Sequence, residues 1–147
     1  MTELSINRVN EILNNAENQK AVVIGDLMLD KFYWGNVSRI SPEAPVPVVE
    51  LEKETFHLGG AANVATNLKS LGLSPVLIGV IGKDPTGEEL LNYAESIGLI
   101  TDGIYASDDR PTTVKTRIIA NNQHVARLDK EVVSEINEDM QNYFLDY

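Results

Sequence analysis

A pair of glycines, one carboxamide and one carboxylate could together hold a hydroxyl-rich small molecule. Gly59-Gly60 leads into Ala61-Ala62-Asn63-Val64-Ala65 and then Thr66-Asn67-Leu68-Lys69-Ser70-Leu71-Gly72. Paired glycines lack Cβ atoms, so their backbone can press against a ligand and take turns closed to other residues. A glycine turn that opens a helix leaves unpaired N–H groups at its first turn, and Asn63 can add one directed hydrogen bond. Taken alone, such a stretch is more often a tight turn before a packing helix. The apolar run Lys20–Gly25 is followed by Asp26-Leu27-Met28-Leu29-Asp30, which puts two carboxylates at the C-terminal end of a strand, where open α/β sheets place ligands. Asp26 reads first as a turn or capping residue, and Asp30 is the candidate ligand of the two.

A second set of groups is cationic. Thr112–Ile119 is rich in β-branched residues and Gln123–Asp129 returns after Asn121-Asn122, a pair able to take positive φ in a hairpin turn. Lys115 and Arg117 share one face of the outgoing strand. A two-residue loop would put Arg127 on the opposite face from Lys115, and a three-residue loop would bring them together. Converging cations would make a phosphate site, while a solvated strand with routine charges accounts for them equally well.

Much other chemistry is excluded. The 147 residues carry 12 basic and 22 acidic side chains, net charge −10, a poor balance for nucleic acid or anionic membranes. With no cysteine there is neither a disulfide framework nor a thiol nucleophile. The ten glycines contain no G-x-G spacing, so neither a dinucleotide fingerprint nor a P-loop is present. His57 and His124 have no metal-ligand spacing, which argues against zinc. The N-terminus shows no signal peptide and no stretch is long and apolar enough for a membrane span, so a soluble cytoplasmic protein is expected.

The elements that would position these groups alternate. Residues 4–18 form an amphipathic helix, Lys20–Gly25 and Pro75–Gly82 are buried parallel strands, and Gly103–Ala106 is a short third strand. Helices follow Gly60 and Asp84, ending at Gly72 and Gly98; Thr86 and Glu89 have capping-box spacing, and Leu90, Leu91, Ala94 and Ile97 form the core stripe of the second. That order predicts an α/β fold with a parallel sheet. Residues 31–56 differ, with three aromatics at 32–34 and three prolines at 42, 45 and 47. They predict strand fragments and an extended loop projecting from the body. The acidic tail from Val132 to Tyr147 reads as helix, with Ile136, Met140 and Phe144 spaced by four.

Together these motifs resemble the ribokinase-like (PfkB) carbohydrate kinases. The strand with Asp30 five residues after its glycine, the aromatic projection, Gly59–Ala65 and Gly79-Val80-Ile81-Gly82-Lys83-Asp84-Pro85-Thr86-Gly87 run in that family's order. Ser38–Val48, Thr113–Arg117 and Gln123–Asp129 resemble the lid of one subgroup, the heptose-7-phosphate kinase domain of bifunctional ADP-heptose synthesis proteins. The resemblance implies the N-terminal half of a doubly wound parallel sheet with a projecting β lid, at about residues 31–56 and 112–130. It also implies ATP- and magnesium-dependent phosphorylation of the anomeric hydroxyl of D-glycero-D-manno-heptose 7-phosphate, on the route to ADP-heptose for lipopolysaccharide. Asp30, Gly59, Gly60 and Asn63 would hold the sugar, and Lys115, Arg117, Arg127 and Arg39 its phosphate. Lid strands would pair in a homodimer. The family's second signature, a glycine-rich anion hole with a catalytic aspartate, has no counterpart in these 147 residues. The expectation is therefore a sugar-binding part of a kinase domain, inactive alone, with the nucleotide site elsewhere. The alternatives are a stand-alone sugar-binding or dimerisation module, and a PfkB fragment for another sugar.

Overall fold

The computed structural model describes residues 5–17 and 19–147. β1 (Lys20–Ile24), β4 (Ser74–Gly82) and β5 (Ile100–Ser107) form a parallel sheet in the order β1-β4-β5. β2 (Leu27–Ile40), β3 (Pro47–Gly60), β6 (Thr113–Ala120) and β7 (Gln123–Lys130) form a second sheet in the order β3-β2-β6-β7. In it β2 runs parallel to β6 and antiparallel to β3, and β6–β7 is a hairpin. The α/β architecture with a parallel sheet is therefore as expected, and the second sheet supplies the projection.

The core lies where α2 (Ala61–Ser70) and α3 (Pro85–Ser96) meet both sheets. Val23, Leu77 and Ile81 of the parallel sheet, Leu27, Leu29 and Leu58 of the mixed sheet, and Ala62, Ala65, Leu90 and Ala94 of the helices form one buried cluster. Alanines at the α2 contact let that helix sit close to the strands. Gly72 and Gly98 follow the two helices at φ +92° and +76°, the left-handed stop expected of glycine. The cap of α3 differs from expectation. Thr86 and Glu89 do not form a capping box; Asp84 is the N-cap, accepting from Gly87 N at 2.8 Å, and Pro85 occupies the first turn.

Residues 31–56 are more regular than the sequence suggests. Two continuous 14-residue strands replace the expected fragments and loop, with register shifts at Trp34/Gly35 and Val37/Arg39. The prolines do not interrupt them: Pro42 and Pro45 lie in the turn, and Pro47 opens β3, where its missing N–H is tolerated. β6 pairs with β2 only as far as Gly35. Beyond that point β2 and β3 continue as a two-stranded ribbon.

β1 is not a buried strand. It lies at the edge of its sheet; Val23 is buried, whereas Val22 and Ile24 are 61% and 71% exposed. Alternation turns these two away from α2. On that side α4 (Glu138–Asp146) covers the opposite edge, where Tyr143 donates to the Asp102 carbonyl at 2.8 Å and stacks edge-on against Tyr105. Of the tail's expected apolar series, only Met140 is fully buried. α1 (Ile6–Ala16) is amphipathic but buries no residue, and Leu4 lies outside the described residues. Among the described residues no helix is long and apolar enough to cross a membrane.

Candidate functional site

Asp30 is set among its neighbours by strand register. It stands opposite His57 of β3 and Lys115 of β6. One row further along the same face, Phe32 stands between Thr55 and Arg117. Arg117 Nη1 donates to Asp30 Oδ1 at 2.5 Å, and its guanidinium lies over the Phe32 ring, 5.2 Å from the centroid. Both side chains of this ion pair are about three-quarters buried. Gly59 borders the other carboxylate oxygen so tightly that a Cβ there would stand 2.6 Å from Asp30 Oδ2. Only glycine leaves Asp30 its place.

Gly60 completes the turn. At φ +56° and ψ −133° it takes a conformation that L side chains avoid, and a Cβ would meet the Asp26 carbonyl at 2.3 Å. That carbonyl accepts from Ala61 N at 2.9 Å, which joins the start of α2 to the end of β1. No side chain caps α2. Asn63 is exposed on its first turn, beside the open helix end. Asp30, Gly59, Gly60 and Asn63 thus come from three elements, the start of β2, the end of β3 and the first turn of α2, and Gly59 is the one of them packed against Asp30.

The hairpin resolves the loop question in an unforeseen way. Asn121 and Asn122, at φ +51° and +61°, form a two-residue turn, which by itself would put Arg127 opposite Lys115 in facing. A bulge between Ile118 and Ile119 adds Val125 to β7, so Arg127 pairs with Arg117 and Asp129 with Lys115. All three cations therefore share a face. None stands alone. Lys115 Nζ lies 3.1 Å from Glu131 and 3.5 Å from Asp129, and Arg127 forms a two-pronged pair with Asp129 at 3.0 Å for each contact. The hydrogen bond to Glu131, acting against desolvation and aided by the charges of Glu131 and Asp129, holds the Lys115 ammonium above its ordinary value. Arg39 is not brought to this cluster. It lies on the ribbon nine residues beyond Asp30, about 30 Å along the strand.

A cleft of about 710 Å³ opens beside these residues, at the C-terminal ends of β1 and β4. Gly25, Asp26, Gly79 and Thr113 form its floor, Lys115 and Arg110 supply positive charge, and residues 131–136 form its far wall. Arg110 Nη2 donates to the Val132 and Ser134 carbonyls at 2.8 and 2.7 Å and so fastens that wall. Lys115 is the one predicted site residue that lines the cleft; the Asp30–Arg117 pair and Gly59 border the neighbouring sheet face. Arg110 and the carboxylate partners Asp129 and Glu131 escape sequence reasoning. Asp129 carries a signal in hindsight, since it lies two residues from Arg127 on the same strand face.

Arrangement and sequence point to the same relatives. The family model for pfkB family carbohydrate kinase matches residues 18–146. This chain belongs to the pfkB family of carbohydrate kinases. It is 48% identical over 129 residues to the Bifunctional protein HldE of Helicobacter pylori (strain P12), and 45% identical over 136 residues to that of Wolinella succinogenes. Those matches take in 88% and 92% of this pfkB chain but only 28% and 29% of the relatives, so it spans under a third of their length. Among solved structures, the carbohydrate kinase from Agrobacterium tumefaciens is similar, with TM-score 0.63 at 25% identity, over 76% of this chain and 35% of that one. The ribokinase from Cryptococcus neoformans in complex with ADP shares the fold, with TM-score 0.55 at 22% identity, over 78% of this chain and 35% of that one. The ribokinase-like fold read from the motifs is the fold observed.

Proposed function

We propose that this chain is the sugar-side part of an ATP-dependent kinase that phosphorylates the anomeric hydroxyl of D-glycero-D-manno-heptose 7-phosphate. The observation that carries the reading is the shared sheet face. It holds an oriented carboxylate at Asp30, wedged against Gly59, with Lys115, Arg117 and Arg127 on the adjoining strands. A carboxylate and a carboxamide suit sugar hydroxyls, and guanidinium and ammonium groups suit a phosphate dianion. Asp30 accepts hydrogen bonds from hydroxyls, Asn63 and the open end of α2 add donors, and the three cations hold the distal phosphate. The similarity to HldE proteins supports a heptose as the sugar.

ATP, with magnesium, supplies the phosphoryl group when bound. That group is proposed to be held mostly by residues other than those described, whose cations near Asp30 are assigned to the sugar phosphate. Phosphoryl transfer depends on holding donor, metal and acceptor together, so the chain alone is proposed to be inactive. The ribbon is proposed to pair two copies, since Ile40, Val46 and Leu51 near its tip are 61%, 50% and 58% exposed.

Calorimetric titration tests the reading. Heptose 7-phosphate should bind at least about tenfold more tightly than fructose 6-phosphate or ribose 5-phosphate, a difference of about 1.4 kcal/mol. ATP should not be consumed until the remainder of the kinase domain is supplied. Equal affinity for all three sugars would remove the heptose assignment, and turnover by the isolated chain would remove the division of labour.

A further inference from the structure

The hairpin that carries Lys115, Arg117 and Arg127 is rooted on one carboxylate that belongs to neither of its strands. Asp84 Oδ1 caps α3 through Gly87 N at 2.8 Å, and that bond alone would satisfy a helix cap. Three more donors converge on the same side chain. The Thr112 hydroxyl donates to Oδ1 at 2.7 Å, the Thr112 N–H to Oδ2 at 3.1 Å, and Lys130 Nζ reaches Oδ2 at 3.4 Å. Thr112 is fully buried, and its hydroxyl also accepts from Gly82 N, the last residue of β4, at 2.9 Å. Thr112 immediately precedes β6, and Lys130 ends β7. Both roots of the hairpin therefore meet at the point where β4 passes into α3. Gly87 lets them converge, because a Cβ there would stand 2.2 Å from the Gly82 carbonyl and 2.9 Å from the Thr112 hydroxyl.

We propose that Asp84 is a positioning residue for substrate: it sets how the sheet that carries Lys115, Arg117 and Arg127 sits on the parallel sheet, and with it the distance of Lys115 from the cleft floor at Gly25 and Gly79. The inference rests on the reading of those cations as phosphate ligands. Its leverage is geometric. Lys115 lies three residues beyond Thr112, about 10 Å along the strand, so a tilt of about 5° between the sheets moves it by about 0.9 Å against the cleft floor. Displacements of that size are enough to undo an oriented contact. Asp84 touches no part of the cleft wall or of the sheet face that carries Asp30, so its effect on binding passes through the hairpin.

Two substitutions at Asp84 distinguish the cap from the latch, which makes the inference testable in the full chain. Asp84→Asn retains an oxygen for Gly87 and the Thr112 hydroxyl but places an amide NH₂ against the Thr112 N–H and Lys130. Asp84→Ser retains a good cap and removes every bond to the hairpin. Amide hydrogen exchange resolved by segment, with calorimetric titration of heptose 7-phosphate, separates the outcomes. Exchange in β6 and β7 should accelerate about tenfold in both variants, with α3 unchanged, and affinity should fall about tenfold. Lys130→Met, a milder surface change, should move the same amides in the same direction by about twofold. Acceleration confined to α3, or equal in α3 and the hairpin, would reduce Asp84 to a helix cap and overturn the inference. So would an affinity unchanged in variants whose hairpin has loosened. Failure of the wild-type chain to bind heptose 7-phosphate would instead strike the proposed function, while the exchange pattern still judges the latch.

Discussion

Gly59→Ala puts the packing of the candidate site under direct test. The added methyl would stand 2.6 Å from Asp30 Oδ2 and 2.7 Å from Met28 Cγ, about 1 Å inside an ordinary carbon contact of about 3.5–4.0 Å. Met28 has three rotatable bonds and can swing aside. Asp30 has less freedom, because Arg117 holds its other oxygen at 2.5 Å. Relief therefore requires the carboxylate to turn off the guanidinium or the β3 backbone to retreat. Forcing a methyl into such a site costs about 1–3 kcal/mol. The decisive measurement is a double-mutant cycle with Asp30→Ala, read by urea unfolding of all four proteins. Without the carboxylate, the methyl has room, and the cost of Gly59→Ala should fall by at least about 1 kcal/mol. Titration of the same proteins with heptose 7-phosphate should show Gly59→Ala weakening binding about tenfold, about 1.4 kcal/mol. Stabilities additive to within about 0.3 kcal/mol, or a Gly59→Ala protein as stable as wild type, would refute the claim that this backbone and this carboxylate are packed together.

Three other outcomes follow from the charges and the uncovered strand. Burial pushes the Asp84 carboxyl up, but hydrogen bonds from Thr112, Gly87 and Lys130 outweigh it and lower it from 3.8 to about 2. Because the folded value lies below the unfolded one, this stabilisation, about 2 kcal/mol, is present above the unfolded value and is lost as pH falls toward about 2. Wild type and Asp84→Asn should therefore converge in stability on acidification, and a gap constant with pH would contradict the assignment. The hydrogen bond to Glu89, set against desolvation, raises the Lys31 ammonium above 10.5. Its contribution is complete below that value and disappears as pH rises through the folded one, so Lys31→Met should flatten the alkaline fall of the thermal midpoint. Ile24, 71% exposed on an edge strand, should drive concentration-dependent association visible in sedimentation velocity. Ile24→Lys should reduce it, and identical sedimentation of the two proteins would exclude that strand as the contact.

Local signals reveal the helices and the parallel sheet because each is written in its own segment. Gly72 and Gly98 stop helices, Asn121-Asn122 turns a hairpin, and the run at Pro75–Gly82 is apolar on both faces because β4 is buried on both along nearly its whole length. What the sequence conceals depends on tertiary pairing. Val22 and Ile24 look identical to core residues until the strand order places β1 at an edge. The prolines at 42, 45 and 47 look disruptive until one is seen to open a strand and the others to lie in its turn. Glycine and Asp30 are separable as motifs, yet their mutual fit arises from the Met28–Gly59 and Asp30–His57 register, which no spacing in the sequence displays. The facing of Arg127 turns on a single bulged residue, Val125. Loop length alone predicts the opposite face, because a bulge changes parity without changing the turn.

The pairing of cations with carboxylates also bears on how so acidic a chain could present the proposed phosphate site. The net charge of −10 opposes the approach of a dianion. Lys115, Arg117 and Arg127 are held in place by Glu131, Asp129 and Asp30, so their geometry is set before any ligand arrives and little ordering entropy remains to be lost. A phosphate must then exchange with these carboxylates rather than fill an empty cationic pocket, and an exchange gains less than a new contact. Arg117 is the most constrained of the three, with Asp30 on one side and the Phe32 ring beneath it. In the proposed function, a phosphate that draws that guanidinium away would release Asp30 to accept from a hydroxyl. On that proposal the ion pair would couple occupation of the phosphate position to readiness of the sugar position, and a sugar that lacks the phosphate would leave Asp30 engaged.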